Sequence, residues 1–172
     1  MTGQVPDAFQ DHYADDVAHC YGCGRLNPHG HHLQTRWEGE ETVTRFTPEP
    51  YHTAIPGYVY GGLIASLIDC HGTGTAAAAA ARAGAPDAAG ARGAGEMPRF
   101  VTASLHVDYL RPTPLGPPLE IRGRASEVTP RKVVVEARVV AGGQVTARGV
   151  VVAAPMPEGM SAREPAPPRP SS

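Results

Sequence analysis

Phe9, Tyr13 and Val17 recur at i, i+4 and i+8 with acidic residues between them. That spacing predicts a short amphipathic helix. Two runs with strand character follow, Leu33 to Glu38 and Thr42 to Thr47, joined by Gly39-Glu40-Glu41 as a hairpin turn. Pro48, Pro50, Pro56 and Gly57 make the stretch up to Tyr60 a loop. The pattern then changes. Leu63, Ile64, Leu67 and Ile68 form i, i+4 apolar pairs, and Ala76 to Ala81 is an unbroken alanine run. Alanine is the best helix former, so one helix is expected from Gly61 to Arg82, with Gly72 and Gly74 admitting a kink. At a rise of 1.5 Å per residue it would be about 30 Å long. Gly84 to Arg99, rich in Gly, Ala and Pro, reads as an exposed linker. Four strands complete the pattern. Val101 to Leu110 sets Ala103, Leu105, Val107 and Tyr109 on one face, and Leu119 to Val128 pairs Leu119 with Ile121. Arg131 to Ala141 and Val145 to Ala154 are joined by a Gly142-Gly143 turn.

The order is two strands, one long apolar helix, then four strands. A mostly antiparallel sheet needs one face covered, and a helix apolar nearly all round needs burial. The prediction is an α+β domain over residues 19–154, with a curved sheet wrapped around one central helix. Residues 1–18 form an N-terminal segment. Residues 155–172, with six prolines, read as a disordered tail.

Composition narrows the function. The chain has 172 residues, and its net charge of −2 offers no basic field for nucleic acid. No apolar run approaches the roughly 20 residues that span a bilayer. Met1 to Val17 carries Asp7, Asp11, Asp15 and Asp16 and neither Lys nor Arg, unlike a secretory signal. The expectation is a cytoplasmic protein with three free cysteines.

Four groups can carry chemistry. Gly61-Gly62 opens the helix, where the first N–H groups lack partners and the dipole is positive. Such a turn can hold a developing oxyanion, or simply start a helix. Asp69 sits among Leu67, Ile68 and Cys70. A carboxylate in apolar surroundings is a candidate base or nucleophile, or a solvent-facing or capping residue. Cys20 and Cys23, near His19, His29, His31 and His32, offer two thiols and two imidazoles to zinc. Without a second CxxC, and with irregular His spacing, a tight turn with free thiols and no metal is the favoured reading. Arg111, Arg131 and Lys132 can meet phosphates or be ordinary surface charges.

In combination these residues resemble the PaaI-like branch of hotdog-fold acyl-CoA thioesterases. Cys20-Tyr21-Gly22-Cys23-Gly24-x-x-Asn27-Pro28-x-Gly30 is similar to the family's N-terminal element. His52-x-x-x-Pro56-Gly57-x-x-Tyr60-Gly61-Gly62 resembles its H-x-G-x-P-G-x-x-H-G-G loop. Ala65-x-Leu67-x-Asp69 resembles its helix motif, and Thr102-Ala103-x-Leu105-x-Val107-x-Tyr109-x-Arg111-Pro112 its strand motif. The resemblance implies a hotdog fold and a homodimer or dimer of dimers with sites at the subunit interface. It also implies hydrolysis of an acyl-CoA or related thioester without a cofactor. Asp69 would be base or nucleophile, the Gly62 amide would polarise the carbonyl, and Thr102, from the facing subunit, would position water. His52, Tyr60 and Gly61 would line the substrate, and Arg111, Arg131 and Lys132 would meet the phosphates of coenzyme A.

Two positions depart from the family pattern. Tyr60 replaces the histidine of the HGG motif, and Ala54 stands where glycine is common. A tyrosine still donates a hydrogen bond but does not titrate near neutral pH. Tyr60 motivates the alternative of a non-hydrolysing acyl-thioester binding protein. A dehydratase would need a His–carboxylate pair, for which His71 beside Asp69 is the candidate.

Overall fold

The computed structural model describes residues 7–84 and 95–160. Of the tail expected from residue 155, Pro155 instead ends the last strand and residues 156–160 are described, while residues 161–172 and the centre of the linker after the helix lie outside the described residues. A single helix, α1 (Gly61–Arg82), packs against a six-stranded antiparallel sheet. Its strands are β1 (Thr35–Glu38), β2 (Glu41–Phe46), β3 (Phe100–Tyr109), β4 (Leu119–Val128), β5 (Val133–Ala141) and β6 (Gln144–Pro155). They lie in the order β1-β2-β4-β5-β6-β3, so β1 and β3 are the edges. Gly142 and Gly143 both adopt positive φ in the two-residue β5–β6 turn, a conformation glycine reaches without a Cβ clash.

The core lies between helix and sheet. β5 shows why the alternation works: Val133, Val135, Ala137, Val139 and Ala141 are buried, and the residues that alternate with them are more exposed. Leu119 and Ile121 of β4 meet Leu67 and Ile68 of α1 in the same core.

The helix runs unbroken through Gly72 and Gly74, where the sequence admitted a kink. These glycines serve close approach. A Cβ on Gly72 would lie 2.5 Å from a Val151 methyl, and one on Gly74 would lie 2.8 Å from Gln10 Nε2. The sheet answers with glycines of its own. A Cβ on Gly123 would strike His71, and one on Gly149 would strike Ile68, each at 2.5 Å. Packing in place of solvent exposure offsets the helix penalty of glycine.

The N-terminal segment differs from expectation. In place of one amphipathic helix it forms two single 3₁₀ turns, Phe9–His12 and Asp15–Val17, separated by an extended Tyr13. Phe9 and Tyr13 are still buried, and Val17 packs against the core. Gln10 fixes the segment to β1: its amide donates to Thr35 Oγ1, and its carbonyl accepts from the Thr35 amide at 2.8 Å.

Candidate active site at the open edge of the helix

Tyr60 is the N-cap of α1, in extended conformation. Its amide donates to the His52 carbonyl at 2.9 Å, and its own carbonyl accepts from the Leu63 and Ile64 amides. Gly61 and Gly62 are thus the first two helical residues, whose N–H groups have no acceptor within the helix. Gly62 is exposed, and the Tyr60 ring lies across it: a Cβ there would fall 2.4 Å from the ring carbons. Tyr109 of β3 closes the other side, its hydroxyl donating to the Gly61 carbonyl at 2.8 Å. A pair of tyrosines therefore flanks the two glycines.

Along the same helix, Gly62, Ala65, Ser66 and Asp69 escape full burial, while Leu63, Ile64, Leu67 and Ile68 face the core. The i, i+3, i+4, i+7 spacing makes them one stripe. It puts Asp69 about two turns from the free amides on the open side of the helix. The carboxylate accepts a short hydrogen bond from the Thr102 hydroxyl. Burial pushes the Asp69 carboxyl above its ordinary value, and the Thr102 hydrogen bond draws it part of the way back. A carboxylate so placed is a stronger base than a solvated one.

Thr102 reaches Asp69 because of a bulge. β3 pairs Thr102 with Ala153 and Ser104 with Val152, leaving Ala103 unpaired. Paired residues share a face, and Ala153, Val151 and Ala147 are core residues. The helix-facing set on β3 is therefore Thr102, Leu105, Val107 and Tyr109, with Thr102 in the place that alternation assigns to Ala103. The contact lies within one chain, whereas the resemblance puts Thr102 on the facing subunit.

His52 lies in a ring cluster with His31, Phe46 and Tyr51. Its Nδ1 accepts the Glu49 amide at 2.9 Å, so the neutral ring carries its proton on Nε2 and can donate from there. The basic residues are not brought together within one chain. Arg111 follows the end of β3 and donates to Gln144, while Arg131 and Lys132 occupy the β4–β5 turn level with the start of β3. Lys132 pairs with Glu127 at 3.1 Å.

His71 is fully buried between Thr44, which meets its Nδ1 at 2.8 Å, and Thr42, which meets its Nε2 at 3.2 Å. It turns into the sheet and away from the open stripe, so it supplies no acid for a dehydratase. Two features escape the sequence reading. Tyr109 was visible only as part of a strand motif, and nothing in the pattern aims it at Gly61. Cys70 meets the distant CxxC turn, with its Sγ 3.8 Å from that of Cys20. Hydrogen bonds from the Cys23 and Cys70 thiols hold the Cys20 thiol well below its ordinary value, while the same sharing with Cys20 pushes Cys23 up to about 11 and Cys70 up as well.

A long helix wrapped by an antiparallel sheet, with free amides at one end and a half-buried acid two turns on, defines the hotdog class. The family model of the thioesterase superfamily matches residues 56–148, and the chain belongs to that family. It is similar to the crystal structure of a thioesterase superfamily protein from Shewanella loihica PV-4, with 50% identity and a TM-score of 0.63 over 83% of this chain and 98% of that one. A phenylacetic acid degradation-related protein from Ralstonia eutropha JMP134 shares the fold at 17% identity and a TM-score of 0.54, covering 71% of this chain and 83% of its own. Zebra fish thioesterase superfamily member 2 does so at 16% identity and a TM-score of 0.54, over 72% and 81%. No curated protein matches the chain. Family and fold together support a function of the thioester-hydrolase type. Among the described residues, no helix is long and apolar enough to cross a membrane.

Proposed function

We propose that the protein hydrolyses acyl-CoA or a related acyl thioester to the free acid and thiol. The observation that carries this is the shared stripe of α1. Asp69, buttressed by Thr102, lies on the same open side of the helix as the Gly61 and Gly62 amides, which have no acceptor within the helix. The Gly62 N–H stabilises the carbonyl oxygen as it gains charge. Asp69 takes a proton from the attacking water and returns it to the sulfur, which leaves as the thiol when the tetrahedral intermediate collapses. Thr102 holds the carboxylate in place, and the His52 carbonyl, accepting the Tyr60 amide, fixes the turn that leads into the helix.

The working unit is a homodimer, or a dimer of dimers, joined along β3. This ten-residue edge strand leaves one row of backbone groups unpaired, and Leu105, Tyr109 and Leu110 are exposed beside it. Antiparallel pairing of two β3 strands about a two-fold axis brings Arg111 of one subunit to the sheet end that carries Arg131 and Lys132 of the other. These are the groups proposed for the phosphates of coenzyme A.

Release of free thiol from short, long and aromatic acyl-CoAs tests this reading, with a no-substrate blank for the three cysteines of the protein. Turnover by the wild type should collapse in Asp69→Ala. The Tyr60 ring lying over Gly62 favours a second reading, a protein that binds acyl thioesters without cleaving them. No wild-type turnover on any substrate, with activity gained in Tyr60→His, would replace the first reading with the second.

A further inference from the structure

We propose that Cys20, Cys23 and Cys70 form a thiolate site for one thiophilic divalent cation of the zinc class. Their three Sγ atoms all lie within 4.8 Å of one another, and Cys20 and Cys70 are 3.8 Å apart. Zinc–sulfur bonds of about 2.3 Å at tetrahedral angles set sulfurs about 3.8 Å apart, so little movement closes the site. In the sequence, the further ligands offered to the CxxC pair are histidines. The third comes from α1, not from a histidine: His31 makes edge-on contacts with the rings of Tyr21 and Phe46, and His32 bonds the Asn27 carbonyl at 2.5 Å.

The loop is shaped for sulfur. The Gly24 amide closes the turn on the Cys20 carbonyl at 2.8 Å and so fixes the backbone between the two loop cysteines. Both glycines are required by space. A Cβ on Gly22 would lie 2.2 Å from Cys70 Sγ, and one on Gly24 would lie 2.4 Å from the Cys20 backbone nitrogen.

The surroundings supply the charge. Arg99 packs over the Tyr13 ring at 4.5 Å, close enough to Cys20 and Cys23 to act on both electrostatically. Its Nη1 and the Tyr13 hydroxyl are buried without a hydrogen-bond partner among the described residues. Three thiolates around a divalent ion leave one negative charge, which Arg99 balances. A monovalent ion would leave a second negative charge unbalanced in a buried place. Cys20 is only partly buried, which leaves a way in and a fourth position for water. The ion would tie the N-terminal loop to the helix one residue past Asp69.

The test uses the full chain, reduced and stripped with a chelator, then titrated with cadmium as the spectroscopic probe and with zinc. The expected result is a thiolate-to-cadmium charge-transfer band saturating at one ion per chain, which also forms when cadmium displaces bound zinc. Zinc should also protect all three thiols from a thiol reagent. Cys70→Ser and Cys20→Ser, each checked for native circular dichroism, should weaken binding by at least about 100-fold, the upper end of what loss of an outer-shell partner costs. Cys20 lies in a loop, so its variant keeps the test open if Cys70→Ser fails to fold. No stoichiometric band in the folded wild type, or equal thiol reactivity with and without zinc, would overturn the proposal.

Discussion

Thr102 donates to the carboxylate of Asp69 only because Ala103 is bulged out of β3. Without the bulge, strict alternation would turn the hydroxyl to the outer face of the sheet. The bulge is thus what assembles the acid and its donor within one chain.

Thr102→Val keeps the shape and removes the donor. A hydrogen bond to a charged group contributes about 1.5–3 kcal/mol, so kcat/KM for thioester hydrolysis should fall about 10- to 100-fold. The same bond holds the Asp69 carboxyl down, so its loss should move the acid limb of the pH–rate profile to higher pH. Thr102→Ser should restore both. A Thr102→Val enzyme with wild-type rate and pH profile would remove Thr102 from the site.

Gly72 makes a sharper statement about stability. On an exposed helix Gly→Ala gains about 1 kcal/mol. Here the new methyl would meet Val151, whose Cβ would be 2.7 Å away on a central strand. Overpacking costs about 1–3 kcal/mol, so Gly72→Ala should lower the denaturant midpoint where propensity alone would raise it. A raised midpoint would show that the helix and sheet can part at little cost.

The limits of sequence reading show at particular residues. The helix from Gly61 to Arg82 was legible to its ends, because its apolar pairs and alanine run are local signals. The strands lie within two residues of expectation for the same reason. The resemblance named Thr102 as a residue of the facing subunit that positions water, but neither its bond to Asp69 within one chain nor the face it uses was legible. A bulge is an event of pairing, and the pattern of one strand does not record it. Gly72 and Gly74 looked like weak points because their partners, Val151 and Gln10, lie far along the chain. The three-cysteine cluster was hidden likewise, since fifty residues separate Cys20 from Cys70. One amphipathic helix was expected near Tyr13, but burying that ring needed an extended residue there, and tertiary packing overrode a weak periodicity.

His71 ties stability to pH. Burial lowers its value from 6.5 to about 3, so the folded protein holds it neutral while the unfolded chain protonates it. The unfolded state therefore binds more protons between these values, and stability falls as pH falls from about 6.5 toward 3. The slope from this one group is about 1.4 kcal/mol per pH unit. Urea unfolding at pH 7 and pH 5 should show the loss, and His71→Gln should flatten it relative to wild type. Equal slopes in the two proteins would mean that His71 is protonated in its threonine pocket.

The exposed edge of β3 makes the last prediction. Leu105 faces the helix side yet is 36% exposed, because none of the described residues covers the open stripe beyond it. A second copy paired along β3 would cover Leu105 and Tyr109 and enclose the Asp69–Thr102 pair. Light scattering should then give twice the chain mass of 18.0 kDa, or four times it for a dimer of dimers. Leu105→Glu puts a charge into that contact and should yield a folded monomer by mass and circular dichroism. The Asp69–Thr102 bond lies within one chain and should survive in the monomer, but water would reach it freely. The monomer should therefore lose thioester turnover while keeping its fold. A fully active monomer would show that one chain carries a complete site.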